Sequence, residues 1–144
     1  MGFKRIVVAY DGSVPSQKAL KHAIHMANTD GETELRVVHI FQLPQYFIGD
    51  AFGTASPQVN EEIYKFAIQL EQQAKEEVSF LGERASVEIL QGPPGQVILE
   101  YAEDMDCDLI IIGSRGLSGL KKFVLGSVSL HVVQSSKIPV LVMK

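Results

Sequence analysis

The sequence predicts an α/β protein built on a single, doubly wound, five-stranded parallel sheet with helices on both faces. Three observations lead there. The run Leu109-Ile110-Ile111-Ile112 is short, wholly apolar and closed by Gly113, the pattern of a strand buried on both faces, as in a parallel sheet. Short apolar runs of this kind alternate with stretches whose apolar residues recur at helical spacing, in the order βαβαβαβαβ. That alternation implies a parallel sheet wound on both sides, with right-handed crossovers. Turn and cap residues punctuate the boundaries, as in Asp11-Gly12-Ser13 and Thr29-Asp30-Gly31.

In chain order, Phe3–Tyr10 reads as the first strand, rich in Ile and Val. From Pro15 onward, Ala19, Leu20, Ala23, Ile24 and Ala27 follow helical spacing until Thr29-Asp30-Gly31 stops the helix. Glu34–Phe41 is a second strand. Residues 42–58 contain Pro44, Gly49, Gly53 and Pro57 with Tyr46, Phe47 and Phe52 among them, and read as a long connection. Its aromatics have two uses open to them: packing over the core edge, or covering a ligand or partner. Ile63, Ala67, Leu70, Ala74, Val78 and Leu81 then mark a helix whose other face, with Glu61, Glu62, Glu71, Lys75, Glu76 and Glu77, is solvated. Ala85–Leu90 is a third strand, and Gln91-Gly92-Pro93-Pro94-Gly95 launches a helix with the stripe Val97, Ile98, Tyr101, Ala102 and Met105. After the strand at 109–112 comes a glycine-bracketed loop, a helix near 126–136 and a last strand, Pro139–Met143; a missing N–H costs least at a strand start.

The 144 residues suit one domain, 1–144, without repeat or linker. With 46% hydrophobic and 21% charged residues, the chain can bury a sizeable core. A net charge of −4 argues against a nucleic-acid binder, which shows a basic footprint. Cys107 is the one cysteine, so no internal disulfide forms and a reducing compartment is the natural reading. The apolar run in MGFKRIVVAYDG is too short for a signal peptide, and no run approaches membrane-spanning length. A cytoplasmic protein is expected.

The chemistry concentrates in Leu109–Ser129. Gly113 is followed by Ser114-Arg115-Gly116, nine residues, then Gly126-Ser127 and a helix start. Glycine lets a ligand approach the main chain closely, and a helix N-terminus offers unpaired N–H groups and the positive end of its dipole. Arg115, Lys121 and Lys122 lie in the same loop. The stretch therefore reads either as an anion site or as plain turns with Ser127 or Ser129 as a helix cap.

The spacing Gly113-x2-Gly116-x9-Gly126-Ser127 resembles the nucleotide-binding signature of the universal stress protein family, and VVAYDGS, DLIIIGSRG and IPVLVMK agree with it in the family's order. The resemblance implies a Rossmann-like, adenine nucleotide alpha hydrolase-like fold with sheet order 3-2-1-4-5. The ends of the first and fourth strands then share a crevice at the topological switch point, where open α/β sheets bind ligands. It implies an adenine base framed by Ala9 and Ile40, the latter through its backbone, and ribose hydroxyls on Asp11. An ionised carboxylate accepts and a diol donates, so the pairing is physically apt; an Asx-turn or N-cap role for Asp11 coexists with it. Gly113 would let the strand end pass close to the sugar. Arg115 would approach the phosphates, which the N–H groups of Gly116, Gly126, Ser127 and Val128 would take. The resemblance also implies a homodimer paired along Ile138–Met143, with Val140 and Val142 in the contact; an apolar sheet edge invites such pairing.

Other candidates weigh less. His39 falls in a strand and reads as a hydrogen-bonded core histidine. His22, His25 and His131 show no ligand spacing with one another or with Cys107. Cys107, between Asp106 and Asp108, reads as an inert thiol. There is no GxxxxGK[ST] and no GxSxG elbow with partners to follow. Asp11 is the only carboxylate that falls near the nucleotide, so no general base is apparent. The expected function is a stress-response or signalling module that binds ATP, ADP or AMP, orders its 114–125 loop and biases a surface for a partner. At most it hydrolyses ATP slowly; Mg would accompany ATP, although no carboxylate cluster announces it. The alternatives are a nucleotide-free dimeric interaction protein, against which the intact glycines speak, and a small-molecule enzyme such as an adenylating or flavin-linked domain.

Overall fold

The computed structural model describes residues 2–48, 51–54, 56–116 and 125–144. Strand β1, Arg5–Ala9, carries Ile6, Val7 and Val8, none of which reaches solvent. Helix α1, Val14–Asp30, starts where Ser13 Oγ accepts the Ser16 N–H at 3.3 Å with a proline in the first turn. It ends at Gly31, whose φ of 80° is the left-handed cap conformation. Strand β2 is Glu34–Phe41, as the sequence predicts.

The segment read as a connection holds structure of its own. Strands β3 (Gln45–Ile48) and β4 (Ala51–Thr54) pair antiparallel, Phe47 opposite Phe52. Helix α2 is Pro57–Val78, begun by the Ser56 cap several residues before its apolar stripe starts at Ile63. A short 3₁₀ stretch, Ser79–Arg84, leads to β5, Ala85–Gln91. Helix α3 (Pro94–Asp104), β6 (Leu109–Gly113), α4 (Ser127–Ser135) and β7 (Val140–Met143) complete the described elements.

The main sheet runs β5-β2-β1-β6-β7, every neighbouring pair parallel. Counted within this sheet, that is the order 3-2-1-4-5. Alternate residues send their side chains to opposite faces. Ile6, Val8, Leu35, Val37 and Ile111 meet α1 and α2 on one side. Val7, Val38, Ile110 and Ile112 meet α3 and α4 on the other, with Ile98 and Val132. Each such side chain contributes about 1.5–3 kcal/mol by leaving water. At the amino-terminal end of the sheet, Asp108 accepts the N–H groups of Lys4 and Arg5 at 2.8 and 2.9 Å, pinning the start of β6 to the start of β1. No helix among the described residues is long and apolar enough to cross a membrane.

Candidate functional site

β1 and β6 are neighbours whose chains leave in opposite directions, β1 toward α1 on one face and β6 toward α4 on the other. The gap between their carboxyl ends opens into a cavity of about 940 Å³, at the upper end of the range for small-molecule sites. Ala9, Asp11, Ile40, Gly113, Arg115, Gly116, Gly126, Ser127 and Val128, the nine residues singled out in the sequence, all line it. The sequence reading missed its apolar wall, Val38, Ile98 and Ile112, and also Gln42 and Pro94. The Gly92-Pro93-Pro94 break was the available signal for Pro94; nothing in the sequence marks Gln42.

Asp11 follows β1. Its Oδ1 accepts the Ser13 N–H at 2.9 Å, an Asx turn, while the cap of α1 is Ser13 itself. Its Oδ2 faces Gly116 closely enough that a Cβ there would come within 2.8 Å. Gly116 thus lies beside the carboxylate.

Helix α4 has no side-chain cap. Its own ladder begins with the Leu130 N–H donating to the Gly126 carbonyl at 2.9 Å, which leaves over the N–H groups of Ser127, Val128 and Ser129. Together with the dipole they make the crevice end of α4 electropositive. One expected donor drops out: the Gly126 N–H is committed to the Ser114 carbonyl at 2.7 Å. Ser129, buried, donates its hydroxyl to the same carbonyl at 2.8 Å. Ser114 thus ties the end of β6 to the start of α4.

Gly113 also acquires a different reason. A Cβ there would lie 2.8–2.9 Å from Pro15 Cβ, Pro15 C and Ser16 N, so the approach of β6 to α1 by itself calls for glycine here. Arg115 offers its carbonyl to Ser13 Oγ at 3.4 Å. Lys121 and Lys122 lie outside the described residues.

The remaining candidates fall away from the crevice wall. His39 is buried, with Nδ1 donating to the Tyr10 carbonyl at 2.9 Å and its ring edge-on to Phe66. The Cys107 thiol is pushed up to about 11, chiefly by burial, with Asp108 and Asp106 adding to the shift and Arg5 and Arg36 opposing it. Such a thiol is unreactive at neutral pH.

Residues 2–144 match the universal stress protein family. The universal stress protein YxiE of Bacillus subtilis is 34% identical over 156 residues, covering 99% of this chain and 99% of its own. Among solved structures, the universal stress protein UspA from Lactobacillus plantarum is similar in fold, with a TM-score of 0.84 at 21% identity, covering 100% of this chain and 99% of that one. A universal stress protein solved in complex with cAMP has a TM-score of 0.68 at 26% identity, over 99% of this chain and 98% of its own. With a match that runs from residue 2 to the last residue, the chain belongs to the universal stress protein family.

Proposed function

We propose that the crevice binds an adenine nucleotide, ATP, ADP or AMP, and that the protein acts as a nucleotide-responsive stress or signalling module. The observation that carries this is the sharing of one cavity by three complementary features: the uncapped start of α4, the Asp11 carboxylate and an apolar wall. They suit a phosphate, a ribose diol and a base in turn. Charge-assisted hydrogen bonds to the phosphate contribute roughly 1.5–3 kcal/mol each. The relative solved with cAMP supports an adenine ligand. Asp11 is the one carboxylate among the lining residues and already has a binding role, so catalysis is at most slow ATP hydrolysis; Mg would accompany ATP. We further propose a cytoplasmic homodimer paired through β7.

The test is thermal unfolding with Mg-ATP, Mg-AMP and Mg-GTP, on wild type and Gly126→Val. A Cβ at Gly126 meets nothing closer than 3.5 Å and its φ is −74°, so the fold tolerates the change while the added methyls crowd the start of α4. A ligand at about a hundred times its dissociation constant stabilises by roughly 2.7 kcal/mol, several degrees for a domain this small. The expected result is a raised midpoint with the adenine nucleotides alone, lost in the variant. If no nucleotide moves wild type, the glycines only make turns and the nucleotide-free interaction protein becomes the better reading.

A further inference from the structure

Strand β2 outruns β1, and one side chain on the far face of the sheet decides what that overhang offers. The Tyr10 N–H donates to the Val38 carbonyl at 2.9 Å, so Val38 turns its main-chain groups toward β1. The Phe41 carbonyl accepts the Gly92 N–H at 3.0 Å, so Phe41 turns toward the β5 side. Successive residues of a strand address opposite edges. Ile40 therefore presents its N–H and C=O on the β1 side, where it lines the crevice.

A regular parallel ladder would join the Ile40 N–H to the Tyr10 carbonyl. That rung is not made; the Tyr10 carbonyl instead accepts from His39 Nδ1 at 2.9 Å. Beyond Tyr10 the chain turns away into the Asp11–Ser13 Asx turn. His39 is held in place: it is 7% exposed, with Phe66 edge-on at 6.3 Å on the α2 side.

We propose that His39 is a positioning residue for base recognition: by drawing the Tyr10 carbonyl toward the α2 side of the sheet, it keeps the Ile40 N–H free for the crevice, beside the Ile40 C=O, whose ladder partner is carried away by the turn at Asp11–Ser13. An adenine edge supplies the matching acceptor and amine donor. Guanine presents a carbonyl and a ring N–H there, in the opposite order, and leaves both Ile40 groups unmatched. This role rests on the nucleotide reading above, but its first test needs no nucleotide.

Three proteins are compared: wild type, His39→Leu and His39→Asn, whose side-chain amide nitrogen stands close to the position of Nδ1. In ligand-free protein the Ile40 amide is expected to exchange with solvent freely in wild type and in His39→Asn. In His39→Leu the Tyr10 carbonyl is released, the missing rung forms, and exchange slows about tenfold or more. By calorimetry, wild type and His39→Asn prefer AMP over GMP, while His39→Leu loses about tenfold in AMP affinity with GMP unchanged. Equal Ile40 exchange in wild type and His39→Leu overturns the role of His39, whatever the nucleotides do. An exchange difference as expected, with no AMP binding by wild type, overturns the nucleotide reading and with it the recognition role, while the hold on Tyr10 stands.

Discussion

Gly113, Gly116 and Gly126 belong to one spaced motif yet stand in three different surroundings. Gly113 faces the first turn of α1, Gly116 faces a carboxylate, and Gly126 has room for a side chain. Replacing Gly113 by Ala drives a Cβ into main-chain atoms that cannot yield, so a loss of about 1–3 kcal/mol in urea unfolding is expected. Gly126→Ala should cost far less, and equal losses would contradict this geometry. Spacing alone shows that three small residues are wanted; the neighbour that each one spares lies a hundred residues away in the chain for Gly113 and Gly116. The same limit hid the commitment of the Gly126 N–H, which depends on where the Ser114 carbonyl points. His39 was legible as a hydrogen-bonded core residue from its place in an apolar strand, but its partner was not.

Among the elements, α4 depends on a tie outside itself. It is short, uncapped and anchored through Ser114. Ser129→Ala removes one of the two bonds to that carbonyl and is expected to lower stability by about 1 kcal/mol and to speed exchange of the Gly126 amide; unchanged exchange would show that Ser129 is only a buried filler. The elements of the main sheet were legible because their apolar periods are unbroken. β2 was placed to the residue, while β1 and β7 are shorter than the spans Phe3–Tyr10 and Pro139–Met143 read for them. The β3–β4 hairpin was missed. Two short runs around Gly49-Asp50 carried its signal, but Pro44, Gly53 and Pro57 dominated the reading. The side chains of Tyr46, Phe47 and Phe52 lie outside the described residues.

At the scale of the whole molecule, sheet order decides where the chemistry sits, and alternation alone does not give it; the family signature does. β7 ends the sheet. The Pro139 carbonyl accepts the Ile110 N–H at 3.0 Å and the Met143 carbonyl accepts the Ser114 N–H at 2.7 Å, so the main chain of Val140 and Val142 faces outward. Their side chains, by contrast, are half-buried against the α3–α4 side of the core. A dimer along this strand would pair through the outward main chain of Val140 and Val142, the residues the family resemblance places in the contact. Val142→Pro deletes an outward N–H without touching the β6 ladder, a substitution that edge strands accommodate. Sedimentation should show a folded monomer; an unchanged dimer would exclude pairing through β7.

The Ser114 carbonyl, holding Gly126 and Ser129 at once, has a consequence for how this chain tolerates change. The two ends of the segment between β6 and α4 stand 2.7 Å apart at that bond, closed by contacts that do not involve the residues between. Extra length inserted there meets endpoints already brought together. Each doubling of such a loop costs only about 0.6 kcal/mol. Sequence grafted between Gly116 and Leu125 would leave the Ser114 tie in place, which makes this the natural place to lengthen or tag the protein.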